Sequence, residues 1–341
     1  MDIGTFLLMQ SPSARPSAEI FARGVELGQA AESLGFRNVW LGEHHFSTYG
    51  YLSRPVQLAT YIAAKTTRLR VGTAVIVVPL HHPLLVAEEV ATLDLLSGGR
   101  LDVGFGRGYQ HYEFERFGFK LDEARKRWDE SIDIIMKAFE RRPFTYEGKF
   151  FQLPETSVFP QPVQTPHPPI WIVAQSPYAL EQAVRQGFNV LTGGFGITVD
   201  MLAEFGRLCK KVVDEVKPPR QPNVGVQRAV YVTKDEADAR DAAEHARWNM
   251  RVTLSLRNHY EKVENGKAIA VPAPKEPSID ELLERHLVIG TPDTVIRQIK
   301  RLQEVVGITH FNCSFWIGDM DQARVLRSME LFSREVMPAF V

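Results

Sequence analysis

The sequence predicts an α/β protein, a single (β/α)8 barrel with insertions. Short apolar runs alternate along the 341 residues with amphipathic stretches of helical period, which is the pattern of repeated strand–helix units. The apolar runs are nearly continuous, and this indicates a parallel sheet covered by helices on its outside. Eight runs of this kind occur, which favours a closed barrel over an open doubly wound sheet.

The predicted strands and helices follow one another in a regular order. The strands are residues 3–9, 38–43, 69–78, 101–106, 169–174, 189–194, 223–232 and 309–316. Helical patterns lie between them, as at 17–35, 84–99 and 291–305. In the last of these, Thr291 is a suitable N-cap, and Pro292 stands at the first helical position, where its missing N–H is not needed.

Two segments interrupt this rhythm. Residues 141–168 are rich in proline and aromatic residues, and YEGKFF within them predicts a small hairpin. Residues 260–280 are polar and proline-rich with weak periodicity, and we expect a mobile lid loop there. No interdomain linker is visible, so residues 1–341 are predicted to form one domain.

The composition excludes several classes of protein. The formal net charge is −1 and no block of lysine and arginine occurs, which argues against a nucleic-acid partner. Cys209 and Cys313 stand far apart, so neither a disulfide scaffold nor a cysteine zinc site is expected. No apolar stretch approaches the roughly 18 residues that span a bilayer, and no signal peptide is visible. We therefore expect a cytoplasmic protein without a membrane partner.

Polar residues stand at the carboxyl ends of several predicted strands. The run WLGEHHF (40–46) ends in Glu43, His44 and His45, which would be costly to bury unpaired. Other strands are followed in the same way by GRGY (106–109), AQSP (174–177), GGFG (193–196) and SFW (314–316). Active sites of this fold gather on the C-terminal face of the barrel, so we expect these residues to converge.

Some of these positions suit a phosphate or a flat ligand. Arg107 offers a fork of donors to an anion, although an ordinary salt bridge would also explain it. Ser176 begins a helix whose free N–H groups and dipole attract an anion, with simple N-capping as the alternative. The small residues Gly72, Thr73 and Ala74 either let a ligand approach the backbone or satisfy packing alone.

Four histidines in two adjacent pairs raise the question of a metal site. They are His44, His45, His81 and His82. Adjacent residues of a strand point to opposite sides, and neither HxH nor HExxH spacing occurs. The sequence therefore predicts no metal.

Five stretches, in this order and spacing, carry a family resemblance. They are LGFRNVWLGEHHF (34–46), VGTAVIVVPLHHP through HYEFERFG (71–118), PIWIVAQS (169–176), IGTPDTVIRQI (289–299) and MELFSREVMP (329–338). By these motifs the chain resembles the bacterial luciferase-like flavin monooxygenases nearly end to end. Within that family it is most similar to the catalytic α subunit of bacterial luciferase.

The resemblance implies a (β/α)8 barrel that binds reduced FMN at its C-terminal face. A separate NAD(P)H:flavin reductase supplies the FMNH2, which reacts with O2 to form a C4a-hydroperoxide. This species would oxidise a small apolar organic substrate by aldehyde oxidation, Baeyer–Villiger insertion or hydroxylation. The resemblance also implies a dimer, and we expect a homodimer.

The resemblance assigns roles to individual residues. His44 matches a histidine needed for activity and is expected to act as a general base, while Glu43 would line the flavin edge. A non-prolyl cis peptide is implied at Ala74–Val75. The expected cofactor-binding residues are Ala74, Val75, Arg107, Tyr109, Arg125, Val173, Ala174, Gln175 and Ser176, of which Arg107, Arg125, Gln175 and Ser176 would hold the phosphate.

One departure concerns the substrate pocket. Gly106 stands where the luciferase subunit has a reactive cysteine, so light emission is not expected and the pocket should be wider. Aromatic residues near the strand ends would form an apolar wall. The expected pocket residues are Phe46, Tyr49, Tyr51, Gly106, Phe195 and Trp316.

Two other functions remain open. One is hydride transfer with the deazaflavin F420, which enzymes of the same fold carry out. The other is a non-catalytic flavin-binding partner like the β subunit of luciferase. That subunit lacks the residues matching His44 and Arg107, whose presence here argues against this second alternative.

Overall fold

The computed structural model describes residues 1–174 and 176–340. The strands are β1 (Asp2–Leu7), β2 (Asn38–Leu41), β3 (Arg70–Thr73), β4 (Ile76–Val77), β5 (Leu101–Gly106), β6 (Phe144–Glu147), β7 (Gln152–Thr156), β8 (Ile170–Val173), β9 (Asn189–Gly193), β10 (Val224–Val232), β11 (Lys262–Glu264), β12 (Lys267–Ile269), β13 (Val288–Gly290) and β14 (His310–Ser314). The α-helices are α1 (Ser17–Ser33), α2 (Pro55–Lys65), α3 (Pro83–Leu96), α4 (His111–Arg116), α5 (Ala124–Phe139), α6 (Pro177–Arg185), α7 (Val199–Val216), α8 (Glu236–Asn258), α9 (Ile279–Glu281), α10 (Pro292–Val306) and α11 (Gln322–Glu335).

Eight parallel strands close into a barrel, which confirms the predicted fold class. The order around the barrel is β1, β2, β3, β5, β8, β9, β10 and β14, and β14 pairs with β1 to close the circle. Each of these strands overlaps one of the predicted apolar runs. The continuous apolar runs were sufficient to predict these strands, because a parallel barrel buries both faces of every strand.

The third predicted strand is interrupted. β3 ends at Thr73, the Ala74–Val75 peptide is cis, and the short β4 then pairs with β5. The amide of Val77 donates to the carboxylate of Glu43 at 2.9 Å. The strand pairing of β3 ends at Thr73, and the residues that follow lie at the C-terminal end of the barrel.

Side-chain packing inside the barrel explains why residue 72 is a glycine. The indole rings of Trp40 and Trp171 meet edge to face there, with their centroids 5.4 Å apart. A Cβ atom at Gly72 would lie 2.4 Å from the ring of Trp40. Packing against Trp40, rather than the approach of a ligand, accounts for Gly72.

The two irregular segments each contain a short antiparallel pair. β6 pairs with β7, and β11 pairs with β12. The β11–β12 hairpin lies on the loop after β2, where the amide of Ala268 donates to the Thr48 hydroxyl at 3.0 Å. The amide of Thr48 in turn donates to the carbonyl of Gly266 at 2.8 Å. The side chain of Ala268 is buried.

The short strand β13 was not predicted either. β13 pairs with the last three residues of β10, outside the closed barrel. Three residues are too few for a periodic signal. None of the helices in the described ranges is long and apolar enough to cross a membrane.

Candidate active site

A cavity of about 810 Å³ opens at the C-terminal ends of the barrel strands. This volume lies in the range of cofactor and substrate sites. Its walls come from the loops after β2, β3, β5, β8 and β9 and from α5, α6 and α8, and residues of β1, β10 and β14 reach it from inside the barrel. Residues of several sequence-distant stretches thus meet in one space, as the barrel fold requires.

One end of the cavity is lined by two arginines. Arg107 follows β5, and Arg125 stands in the first turn of α5 with its guanidinium 4.6 Å from the ring centroid of Tyr178. Burial and the positive charge of Arg125 both lower the pKa of Arg107. Among the described residues, neither guanidinium forms an ion pair with a carboxylate. Two like charges held this close indicate a site for an anion.

A helix N-terminus completes this end. The hydroxyl of Ser176 caps α6 by accepting from the amide of Ala179 at 3.3 Å. Ser176 also lines the cavity, so the capped helix start and the two arginines face the same space. This donor set fits the terminal phosphate of FMN.

The cavity wall at Gly106 does not have the shape that the sequence predicted. A Cβ atom built there would lie 2.2 Å from Cγ2 of Val75, which also lines the cavity. The side chain of Val75 therefore occupies the space that a larger residue at position 106 would take. The prediction that Gly106 widens the pocket is wrong for this reason.

The floor of the cavity holds two amides with unused hydrogen-bonding atoms. Gln227 on β10 and Asn312 on β14 are neighbours in the strand register. Within the described ranges, Nε2 of Gln227 and Oδ1 of Asn312 are buried without a hydrogen-bond partner. Buried polar atoms are rarely left unpaired, so a donor and an acceptor are available here for a polar, flat ligand.

The opposite end of the cavity contains a histidine held by a buried carboxylate. Nδ1 of His44 lies 3.0 Å from Oε1 of Glu113 and 2.9 Å from Nε2 of Gln110. The same Glu113 oxygen accepts from the backbone amide of His45 at 2.9 Å. Glu113 is only 1% exposed, and within the described ranges its carboxylate contacts His44 and the amide of His45. Nε2 of Gln110 donates and the Glu113 oxygen accepts, so these two contacts place opposite demands on Nδ1, and the imidazole ring is held between them at the cavity wall.

Glu43 is the centre of a second cluster just below His44. Its Oε1 accepts from Nε2 of His45 at 2.8 Å and from Nε2 of His81 at 2.7 Å, and its Oε2 accepts from the amide of Val77. These three side chains bring potential metal-ligating atoms together, a grouping that the sequence did not predict.

The arrangement of protons favours hydrogen bonding over metal binding in this cluster. A guanidinium nitrogen of Arg54 lies 2.9 Å from Nδ1 of His81. Arginine can only donate, so Nδ1 accepts and the proton of neutral His81 lies on Nε2, directed to Glu43. Nε2 of His81 is then a donor and has no free lone pair for an ion.

The Glu43 cluster leads to a prediction for acid stability. Burial raises the pKa of Glu43, but hydrogen bonds from His45, His81 and Val77 outweigh burial and lower it from 4.5 to about 2. A carboxyl whose pKa is lower in the folded state stabilises the fold above its unfolded pKa and loses this stabilisation as the pH falls. A pKa difference of this size corresponds to about 3 kcal/mol.

We therefore expect Glu43→Gln to lower the free energy of unfolding near pH 7, and this difference from wild type to shrink as the pH falls from 4.5 towards 2. Urea unfolding at a series of pH values measures it. The exposed Glu155→Gln serves as the control. A wild-type-to-variant difference that stays constant down to pH 3 would contradict the stabilising role of the ionised carboxylate.

The structure brings most of the predicted site residues to the cavity. The predicted residues that line it are Glu43, His44, Tyr49, Ala74, Val75, Gly106, Arg107, Tyr109, Arg125, Val173, Ser176 and Phe195. Ala174 is fully buried and is not part of the wall. Gln175 lies outside the described residues.

Three aromatic residues assigned to the substrate pocket lie elsewhere, which corrects the prediction. Phe46 has a positive φ of 62°, is 45% exposed, and packs on Phe117 at the surface. The hydroxyl of Tyr51 donates to the carbonyl of Arg15 at 3.3 Å. Trp316 is buried in the core under the guanidinium of Arg23. Proximity to a strand end did not determine side-chain direction in these cases.

Sequence reasoning also missed residues of the site. Glu113 lies within the family-like stretch 71–118. An acidic residue shortly after Arg107 in that stretch could have indicated that Glu113 belongs to the site. Thr253 and Arg257 line the cavity from α8, and nothing in the sequence distinguishes them from the other polar residues of that helix. Gln227 and Asn312 lie inside predicted strands. Each is a polar residue among apolar ones, and this pattern could have indicated a role in the site.

Comparison with known proteins agrees with this geometry. A family model described as luciferase-like monooxygenase matches residues 1–309. The chain is 33% identical over 337 residues to the oxygenase component of the flavin-dependent trigonelline monooxygenase of Acinetobacter baylyi, with 94% of this chain and 90% of that protein covered. It is 28% identical over 362 residues to the alkanal monooxygenase α chain of Photorhabdus luminescens, with 99% and 96% covered.

A solved structure gives the same result. A monooxygenase from Streptomyces bottropensis matches with a TM-score of 0.87 and 26% identity, and 100% of each chain is covered. The family model alone covers more than half of the chain. The chain therefore belongs to the luciferase-like monooxygenase family, and it is a flavin monooxygenase of that family.

Proposed function

We propose that the protein is the oxygenase of a two-component system, which takes FMNH2 from a separate NAD(P)H:flavin reductase and uses O2 to oxygenate a small organic substrate. One observation carries this proposal. A single cavity holds an anion site at one end, formed by Arg107, Arg125 and Ser176, and a carboxylate-supported histidine, His44, at the other. The relative from Acinetobacter baylyi, named as an oxygenase component, supports the need for a separate reductase.

The residues of the cavity fit FMN by charge and shape. Arg107, Arg125 and the start of α6 would hold the phosphate, and Val75 and Gly106 would form a wall for the ring system. When bound, the reduced flavin supplies the electrons that activate O2. The amides of Gln227 and Asn312 offer a donor and an acceptor to a polar heterocycle on the floor of the cavity.

His44 is the residue that we propose for proton transfer. His44 contacts the buried carboxylate of Glu113 through Nδ1 and lines the cavity, so it can take a proton from the reacting molecules as a base and return it as an acid. Glu113 is a positioning residue that orients the His44 ring. Both oxygens of Glu43 are engaged by protein donors, so we propose that Glu43 also positions its neighbours rather than contacting the substrate.

The test of this proposal is an oxygen-dependent product screen. The protein is incubated with FMN, NADH, a generic flavin reductase and a panel of aldehydes, ketones and aromatic compounds under ¹⁸O2, and products are identified by mass spectrometry. Incorporation of one ¹⁸O atom into a product supports the proposal. Oxidation of a substrate with F420 and without O2 consumption would support the F420 alternative. Tight flavin binding without any product, unless a second luciferase-like chain is added, would indicate the partner-subunit alternative.

We also propose that residues 260–280 form a lid over the cavity. Glu276 ties this segment to α8, because it accepts from Nε and Nη2 of Arg251 at 2.7 Å each. We expect Glu276→Gln to loosen the segment and to release a few-fold more H2O2 per product, because a closed site excludes water from the reaction. The ratio of H2O2 to product measures this effect. The control is Glu264→Gln in the same segment, and equal ratios in both variants would contradict the lid.

A homodimer is proposed on the basis of an exposed apolar face. Leu85 and Leu96 on α3 are 57% and 64% exposed, and Tyr61 on the adjacent α2 is 53% exposed. Apolar residues grouped on one face favour association. We expect the double variant Leu85→Lys, Leu96→Lys to sediment as a monomer in analytical ultracentrifugation while the wild type sediments as a dimer. The control is Met201→Lys on α7, and a wild-type monomer at micromolar concentration would refute the proposal.

A further inference from the structure

Arg257 is a cation on the His44 side of the cavity. It stands in the last turn of α8, half-buried, with its guanidinium 5.4 Å from the ring centroid of Tyr109. One helical turn earlier, the hydroxyl of Thr253 lies 2.9 Å from that of Tyr49. The ring of Tyr49 is 4.7 Å from that of His44, centroid to centroid. The guanidinium therefore belongs to the same part of the cavity as the proposed base.

The other arginines along this helix are paired, whereas Arg257 is not. Arg240, Arg247 and Arg251 form ion pairs with Asp280, Glu244 and Glu276, respectively. Within residues 1–174 and 176–340, Arg257 has neither an ion-pair partner nor a hydrogen-bond acceptor. A guanidinium kept inside a cavity without an acceptor gains most from a ligand that brings an anion.

Arg257 is separate from the anion site at the other end. Burial and the positive charge of Arg125 lower the pKa of Arg107. Burial raises the pKa of Tyr49, and the positive charge of Arg257 opposes this effect. Arg257 lies beside Tyr109, whose ring centroid is 6.3 Å from that of His44, and therefore on the side of the cavity where the substrate reacts under the proposed function.

The residues around Arg257 suit the uncharged part of a ligand whose anionic group binds this guanidinium. Tyr49 and Tyr109 present aromatic faces and hydroxyl groups, and Leu8 and Phe6 continue the wall with apolar surface. A planar carboxylate can accept two parallel N–H bonds from the guanidinium, while an apolar body packs on these rings.

We propose that Arg257 binds the carboxylate of the substrate, so that the substrate class of this enzyme is small organic acids with an apolar body. This inference rests on the proposed function, because it assumes that the His44 side of the cavity holds the substrate. It narrows the expected apolar substrate to one with an anionic end. The carboxylate would anchor the molecule and leave its apolar part beside His44.

Direct binding of matched acids and amides tests this inference without turnover. The FMN-loaded protein is titrated calorimetrically with benzoate and benzamide, and with octanoate and octanamide, at pH 7.5 and low salt. We expect each acid to bind at least tenfold more tightly than its amide, since a charge-assisted hydrogen bond contributes on that order. Arg257→Met should bind each acid and its amide about equally tightly. Arg257→Lys should keep part of the preference for the acid.

Two controls separate the possible roles of Arg257. Arg240→Met, an exposed position on the same helix, should keep the full preference for acids. Arg257→Met should keep the wild-type affinity for FMN, which would fall if Arg257 belonged to the flavin site. Circular dichroism melting of each variant confirms that it is folded.

Several outcomes would overturn the inference. These are equal affinity of wild type for acid and amide, an unchanged preference in Arg257→Met, loss of FMN affinity without a change in preference, and no binding of either acid at millimolar concentration. Failure of the proposed function looks different. In that case acids would bind in an Arg257-dependent manner, but no substrate would gain an oxygen atom from O2.

Discussion

His44→Ala is expected to lower product formation by about 10²–10⁴-fold, the range of a positioned acid–base group. The variant should fold and bind FMN, because the His44 side chain lines the cavity and is not part of the buried core. Oxygenation then fails for lack of proton transfer, and reduced flavin should react unproductively with O2 and release H2O2. Steady-state product and H2O2 yields measure both effects.

His45→Ala is the matched control for this prediction. His45 is buried, and its Nε2 donates to Glu43 rather than facing the cavity. Its loss should leave Glu43 with one donor fewer, lower the free energy of unfolding and affect catalysis less. Full turnover with tight coupling in His44→Ala would remove His44 from proton transfer.

Glu113→Gln separates the positioning role from proton transfer itself. The amide can still contact Nδ1 of His44, but it no longer provides a negative charge beside the ring. We expect a smaller loss of activity than in His44→Ala, together with a shift in the pH profile of turnover that a purely structural role would not produce.

Arg107→Ala is expected to weaken the binding of FMN by roughly tenfold or more, since a hydrogen bond to a charged group contributes about 1.5–3 kcal/mol. Fluorescence titration of the flavin measures the dissociation constant. The ligand-free protein should be as stable as wild type or slightly more so, because removing Arg107 relieves its repulsion from Arg125. This combination of weaker binding and undiminished stability is specific to a residue whose charge serves a ligand.

Arg142→Ala is the control for the phosphate site. Arg142 is exposed and pairs with Glu140 on the surface, so its loss should change neither FMN affinity nor stability measurably. An unchanged dissociation constant in Arg107→Ala would exclude Arg107 from the flavin site.

The agreement between sequence and structure is greatest where the signal is local and periodic. Each predicted strand of the barrel is present, because burial on both faces makes a parallel strand a continuous apolar run. Placement of the site at the C-terminal face followed from the fold itself. Arg107 and Ser176 both line the cavity because a residue after β5 and a helix start after β8 lie at the same edge of the barrel.

Side-chain direction was decided only by the tertiary structure. Phe46, Tyr51 and Trp316 also follow strands, yet their rings turn to the surface, to a neighbouring loop or into the core. Gly106 was interpreted as empty space, whereas the Val75 side chain occupies it. Rotamers respond to neighbours that are distant in sequence, so a linear pattern does not reveal them.

The chemistry of the site depends on partnerships across the fold. His44 is held by Glu113, 69 residues away, and Glu43 is held by His81, 38 residues away. Arg257 resembles Arg240, Arg247 and Arg251 in the sequence, and only the folded chain shows that three of the four have partners. The sequence alone determined the barrel and the edge at which its cavity opens, because periodic burial is encoded locally. The tertiary structure decided which charges are compensated and which remain for a ligand, because compensation is a property of neighbours in space.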